Sequence, residues 1–367
     1  MVLPNEVKLA ISLIEQNGGQ AFLVGGCVRD FVMGKRPDDF DIATSFTPAK
    51  IKKCFKNYKT VDTGVKHGTV LVIIDSVPLE ITTFRVDGEY KDARHPEKVT
   101  FSSSLTDDLK RRDFTINALA YNETSGIVDL FGGTDDINDK IIRTVGNPDD
   151  RFKEDALRML RALRFSSVLG FEIEENTKES IKKNFYLVLN VSKERIFAEL
   201  KKLILGDNAK KVFDEFGAEL SLISGADMTK DFGGENYYQK LSSIYSDEEK
   251  AFSSLKNLKA DNFTVKTVVN LIKYKNHPKD DTSFKKLMFY EGEEFCRIFD
   301  SHKTKELLSE NECIFLKDLK VDGNDMLNLG IKNEKIKETL NKLLFMVHKD
   351  NSLNQKYTLL DIAKKIL

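Results

Sequence analysis

Two aspartates one residue apart, Asp39-Phe40-Asp41, are the first residues of this 367-residue chain whose spacing implies chemistry. In a strand, residues i and i+2 project from one face. Both carboxylates would then converge on one point, with Phe40 turned into the core. Two anions so placed repel unless a cation sits between them. Magnesium, a hard divalent ion held by carboxylate oxygens and nucleotide phosphates, meets that need. A polar loop beside the turn Arg36-Pro37-Asp38 would show the same residues. Glu80 supplies a third carboxylate, within a β-rich run where an acid is locally out of place. Upstream, residues 22–30 read as strand, glycine turn and helix. Gly25 and Gly26 let the backbone approach a ligand, the helix start offers N–H groups to an anion, and Arg29 adds a cation. Three carboxylates behind a phosphate-binding turn suggest two-metal phosphoryl or nucleotidyl transfer. One metal would activate the attacking hydroxyl and both would stabilise the transition state.

The elements that must position these groups lie in residues 1–140, which read as mixed α and β. Short apolar strands are expected at 21–24 and 40–42. Residues 70–74 and 79–84 form two more, joined through Asp75-Ser76-Val77-Pro78 as a hairpin. Beyond residue 140 the strand signals fade. Residues 151–169, 194–205 and 334–347 carry apolar side chains at helical spacing, with breaks at Gly206-Asp207-Asn208 and Asn276-His277-Pro278. The expected fold is therefore α+β: a mixed-sheet head over residues 1–140, then all-helical segments at 141–205, 206–290 and 291–367.

Composition bounds the partners. Apolar residues are 41% and charged residues 31%, and no apolar run reaches the ~18 residues that suggest a membrane span. Four cysteines without CxxC spacing suit a reducing cytoplasm. Net charge is −1, which at face value speaks against a nucleic-acid binder. The sum hides local surface, however. Lys50, Lys52, Lys53, Lys56 and Lys59 form an acid-free run. Residues 251–290 carry eight lysines and three aspartates. Both are expected either as solvated helix faces or as contacts to RNA phosphates.

The ordered motifs carry a specific resemblance. Gly-Gly-x-Val-Arg-Asp at 25–30 followed by Asp-x-Asp at 39–41 resembles the head of the nucleotidyltransferase superfamily that includes DNA polymerase beta. Lys66-His67-Gly68-Thr69, the run Arg111-Arg112-Asp113-Phe114-Thr115-Ile116-Asn117 and Asp129-Leu130-Phe131-Gly132-Gly133 follow in order. So do the run Glu154-Asp155-Ala156-Leu157-Arg158-Met159-Leu160-Arg161 and the segment Val191-Ser192-Lys193-Glu194-Arg195-Ile196. Together they narrow the resemblance to class II tRNA nucleotidyltransferases, the CCA-adding enzymes, and their poly(A) polymerase relatives. The matches cover residues 20–205. The last third matches only through Asp322-Gly323-Asn324-Asp325-Met326 and Leu329-Gly330.

The resemblance implies a polymerase-beta-like head followed by helical neck, body and tail. It implies CMP, CMP and AMP added to a tRNA 3′ end from CTP and ATP, with two Mg²⁺ ions on Asp39 and Asp41 and Glu80 as third carboxylate. Arg111, Arg112, Asp113 and Asn117 are expected at the nucleotide ribose, with Asp113 alternatively assisting the metals. Asn147 and Pro148 signal a helix start. Beyond them Glu154, Asp155, Arg158, Arg161 and Arg164 would share one helical stripe. They could form intrahelical ion pairs or read the base. Cytosine and adenine both show an amine beside a bare ring nitrogen. Asp155 only accepts and Arg158 only donates, so the pair fits those two bases and mismatches uracil and guanine. Glu154 and Arg161 would orient them. The 86–98 loop, with Tyr90, Asp92 and Arg94, is full length, which in this family accompanies switching from CTP to ATP. The expected partner is tRNA, gripped by body and tail, with no membrane and a monomer or weak dimer. An A-adding enzyme, a poly(A) polymerase and a non-catalytic RNA-binding protein on the same scaffold are the competing readings.

Overall fold

A computed structural model describes residues 3–37, 39–64, 67–87, 99–226, 232–278, 280–310 and 312–366. Contacts divide the chain into two compact units, Met1–Thr229 with Asn257–Lys259, and Lys230–Lys256 with Ala260–Leu367.

The first unit opens with α1 (Asn5–Gln16), whose Val7, Ala10, Ile11 and Ile14 recur at helical spacing and are buried together. The strands β1 (Ala21–Val24), β2 (Asp41–Thr44), β3 (Lys59–Gly64), β4 (Thr69–Ile74) and β5 (Val77–Thr83) follow, with α2 (Gly26–Val32) and α3 (Pro48–Cys54) between them. After the two-stranded pair β6 (Arg85–Asp87) and β7 (Val99–Phe101) come α4 (Leu105–Lys110), β8 (Leu119–Asn122), β9 (Gly126–Asp129) and α5 (Gly133–Asn138). The main sheet has seven strands in the order β3-β4-β5-β2-β1-β8-β9, and only β2 and β5 run parallel.

Strand parity sets which groups face solvent. Leu79, Ile81 and Thr83 of β5 are buried, so Glu80 between them faces outward. The hairpin expected between β4 and β5 is present, but its turn is only Asp75-Ser76. Both residues have positive φ (46° and 69°), the tight turn whose twist matches the strands it joins. Val77 and Pro78 belong to β5 instead, paired with Ile74 and Ile73.

The strand expected at 40–42 is displaced. β2 starts at Asp41, so Asp39 lies in irregular chain ahead of it. Phe40 is half-buried and not in the core, because it precedes the ladder that would have turned it inward.

Helices then dominate: α6 (Pro148–Glu154), α7 (Leu157–Leu169), α8 (Glu175–Asn184), α9 (Lys193–Leu205) and α10 (Ala209–Ser224). A two-residue parallel pair, β10 (Ile141–Ile142) with β11 (Glu172–Ile173), interrupts the helical region. Asn147 caps α6 as expected, accepting from the Asp150 N–H at 3.3 Å with Pro148 in the first turn. The continuous stripe expected from Glu154 to Arg164 is not there. Asp155 leaves the helix (φ −143°, ψ 103°), and its carboxylate accepts from the Leu157 N–H at 3.1 Å. Aspartate competes with the helical ladder in this way, ending α6 and starting α7.

The second unit is helical in every regular element described, apart from short 3-10 turns. Leu271, Phe284, Leu287, Met288 and Cys296 form one of its apolar clusters, and Met326, Leu343, Leu344, Val347 and Leu359 another. No helix of the described residues is long and apolar enough to cross a membrane.

Candidate active site

The glycine turn is the first fixed point. Gly25 has φ 75° and ψ −131°, a conformation closed to side-chain-bearing residues, and a Cβ there would sit 2.9 Å from Arg112 Nη1. Its N–H donates to the Leu119 carbonyl at 3.2 Å. At Gly26 a Cβ would meet only Arg29 Nη2, at 3.7 Å. The fold therefore requires glycine at 25; at 26 a side chain would fit, and only a close ligand would demand its absence.

Asp41 opens β2 between two neighbours. On one side the parallel ladder pairs it directly with Glu80, and on the other Leu23 of β1 pairs with Ile42. Asp39, Phe40, Asp41 and Glu80 line a cleft of about 410 Å³ with Leu71 and Pro78. Desolvation pushes the Asp41 carboxyl above its ordinary pKa. Glu80 and Asp39 push it further up, against the lowering effect of Arg112. Among the described residues, no three His, Cys, Asp or Glu side chains form a ready metal cage. The donor set is instead carboxylate oxygens carrying surplus negative charge, which suits magnesium completing its coordination with phosphates and water.

From the glycine turn two chains of polar contacts run to the helices. In the first, Asp108 is fully buried and takes Arg111 at 2.7 Å and Arg112 at 3.0 Å. Burial raises its pKa, but the two guanidiniums outweigh this and hold it below the ordinary value. In the second, Arg29 donates to Asn117 Oδ1 at 2.8 Å, and Asn117 donates to Asp113 Oδ1 at 3.2 Å. Arg161 then reaches Asp113 Oδ2 through Nε at 2.8 Å and Nη2 at 2.7 Å.

The Asp113 side chain is largely withdrawn from solvent, which alone would raise its pKa. The Arg161 guanidinium, Asn117 and the Phe114 N–H instead hold it at about 2. Because the folded value lies below the ordinary 3.8, this pairing stabilises the fold above about pH 4 and is lost as pH falls toward 2. We expect Asp113→Asn to lower unfolding free energy at pH 7 by about 2 kcal/mol. Urea titrations at pH 7 and pH 2.5 check this, since the gap between wild type and variant should shrink at the lower pH.

The α6–α7 junction places the proposed base-reading pair. Arg158 is 7% exposed. It donates to Glu154 Oε2 at 2.5 Å and to the carbonyls of Arg151 at 3.2 Å and Arg111 at 3.1 Å. Asp155 Oδ2 accepts from Arg195 of α9 at 2.9 Å. Glu154 thus pairs with Arg158 and also takes Arg151 at 2.8 Å. Arg161 departs from its expected partners, pairing with Asp113 and lying 3.8 Å from Glu199. Arg164 lies 2.8 Å from Glu199 and 4.1 Å from the centre of the Phe165 ring.

Asp108 and Glu199 lie outside the sequence motifs, although Glu199 follows Arg195 by one helical turn. Arg151 ends the Asn147–Arg151 helix start, and Arg195 stands in the 191–196 motif, but neither has a role legible in the sequence. Tyr90, Asp92 and Arg94 lie outside the described residues, as does Lys66.

Comparison with known proteins bears on the same elements. The family model described as "Poly A polymerase head domain" matches residues 21–143. A second, described as "Probable RNA and SrmB- binding site of polymerase A", matches residues 170–216. The CCA-adding enzyme of Ligilactobacillus salivarius is 38% identical over 100% of this chain and 98% of its own. That of Pediococcus pentosaceus is 34% identical over 98% of each. The crystal structure of the Bacillus stearothermophilus CCA-adding enzyme with CTP superposes with a TM-score of 0.80 at 28% identity, covering 100% and 98% of the two chains. With full-length identity of this degree and a head sheet holding Asp41 beside Glu80, the chain belongs to the CCA-adding enzyme family of tRNA nucleotidyltransferases.

Proposed function

We propose that this chain adds CMP, CMP and AMP in turn to the 3′ end of tRNA, taking CTP and ATP as donors and releasing pyrophosphate. The observation that carries this reading is the adjacency of three parts: Asp41 shares a cleft with Asp39 and Glu80 and feels the charge of Arg112, Arg112 stands against the Gly25 backbone, and the neighbouring Arg111 carbonyl accepts from Arg158 at the α6–α7 junction. A transferase without a nucleic-acid template needs that adjacency, since the groups that choose the base must be rigidly tied to those that face the phosphates. The CTP complex of the similar Bacillus stearothermophilus enzyme supports the choice of donor.

In this reading Asp39 and Asp41 would hold two Mg²⁺ ions, with Glu80 of the same cleft as the third carboxylate. Bound magnesium supplies charge neutralisation and a lowered pKa for the attacking hydroxyl. The reaction needs no covalent enzyme intermediate, because the RNA 3′-hydroxyl is the nucleophile. Gly25, Gly26 and Arg29 receive the triphosphate, and Arg111 and Arg112 stand with the ribose group. Asp113 and Asn117, hydrogen-bonded to each other with Arg161 paired to Asp113, face the ribose. Asp155 and Arg158 present an acceptor and donors to the base edge. Residues 141–205 act as neck, 206–290 as body and 291–367 as tail on the tRNA.

One proposed phosphate contact needs revision. Lys285 is 4% exposed and paired with Glu312 at 2.6 Å, so it is a structural cation. The exposed Lys256, Lys266, Lys273 and Lys275 remain candidates.

The test is to supply Mg²⁺, CTP, ATP and tRNA lacking its last three nucleotides, then sequence the product 3′ ends. Ends reading CCA are expected. Addition of A alone, long A tails, or no addition would each overturn the reading.

A further inference from the structure

A second cavity, of about 580 Å³, opens beside the carboxylate cleft. Phe31, Lys35, Arg36, Pro37 and Phe40 line it, with Leu3. Phe40 lines both spaces. None of the residues tied to the glycine turn (Arg112, Asn117, Asp113, Arg161) contributes to this cavity.

Its walls are built by identifiable local structure. Gly34 has φ 72°, its N–H bonds to the Phe31 carbonyl at 2.9 Å, and the Lys35 N–H bonds to the Asp30 carbonyl at 2.8 Å. This is the left-handed helix stop that caps orphan carbonyls, and it sends Lys35 and Arg36 out of α2 into solvent. Phe31, on the last turn of α2, leans on Tyr121 with ring centres 6.0 Å apart. Phe40 is half-buried and so keeps part of its ring accessible.

We propose that this cavity receives the 3′-terminal nucleoside of the RNA acceptor, its base against Phe31 and Phe40 and its phosphate toward Lys35 and Arg36. The proposal rests on the nucleotidyl-transfer reading above. Aromatic faces flanked by cations are the combination that holds single-stranded nucleic acid without regard to sequence. The volume falls within the roughly 300–1,000 Å³ of ordinary ligand pockets. Position argues for the acceptor over the donor. The attacking hydroxyl must lie beside Asp39 and Asp41, and the donor's base is already assigned to Asp155 and Arg158. Among the described residues Phe40 lines both this cavity and the carboxylate cleft, so a nucleoside seated here lies next to Asp39 and Asp41.

The test uses the full chain and an RNA minihelix whose 3′-terminal base is 2-aminopurine. Wild type is expected to quench its fluorescence about twofold or more through stacking. Phe31→Leu, which keeps volume but removes the aromatic face, should restore most of it. Arg36→Gln with Lys35→Gln should raise the KM for RNA about tenfold and that for CTP less than twofold. These two surface changes leave the core untouched, so they test the idea even if Phe31→Leu folds poorly. Absence of quenching in wild type, or equal quenching in Phe31→Leu, overturns the proposal. Quenching by a wild-type protein that adds no nucleotide would overturn the transferase reading and leave this pocket standing.

Discussion

Asp41→Ala is expected to lower the rate of CMP and AMP addition by roughly 10³-fold or more, the scale of losing a metal-borne stabilisation of developing charge. The expectation follows from where Asp41 stands. It begins β2, pairs across the ladder with Glu80, and shares a cleft with Asp39. Its carboxyl is held above the ordinary pKa by desolvation and then by Glu80 and Asp39. A group raised in this way favours the fold below its ordinary value of 3.8 and loses that contribution as pH rises through its folded pKa. At pH 7, without metal, the ionised Asp41 therefore works against the fold. Asp41→Asn should raise the melting temperature of the metal-free protein while abolishing transfer. Single-turnover incorporation and thermal melts in chelator measure both. Retained activity in Asp41→Ala, or a lower melting temperature in Asp41→Asn, would contradict this account.

Asp155→Asn is expected to reduce the preference for CTP over UTP by about 10–100-fold, the worth of one good bidentate base contact. The substitution keeps the shape and the carbonyl that accepts the Leu157 N–H, but it gives up the ion pair with Arg195, so a thermal melt accompanies the rate measurement. In the proposed base-reading role it replaces a group that only accepts with one that can also donate, and so would admit a carbonyl-bearing base. The ratio of kcat/KM values for CTP and UTP reads it directly, and an unchanged ratio would remove Asp155 from base reading. Arg158→Ala is a poorer probe. Arg158 is buried and paired with Glu154, so its loss should also cost about 3 kcal/mol of stability. Loss of selectivity would then be confounded with loss of structure.

Much of this site could be read from local pattern. Glu80 is legible because an acid interrupts a β-rich run, and the burial pattern of β5 then sets it on the face opposite Leu79 and Ile81. Asn147-Pro148 announced α6 because capping is a property of adjacent residues. Asp39 and Phe40 were placed less well. The expected strand began one residue too early, and parity then assigned Phe40 to a core it does not enter. The same limit affected residues 154–164, where helical spacing was legible. The break at Asp155 depended on a side chain competing with the backbone.

The amino-acid sequence by itself determined the order of the motifs, the mixed head before the helical segments, and the identity of the carboxylates, glycine turn and helix cap. These are short-range features, set by spacing, propensity and side-chain chemistry within a few residues. Tertiary structure alone decided the partners: Arg161 with Asp113 across 48 positions, Arg195 with Asp155 across 40, and Lys285 turned inward to Glu312. The physical reason is that a guanidinium or ammonium carries no local mark of which carboxylate it will meet. Packing of distant elements brings the two together, and only then does burial make the pairing strong.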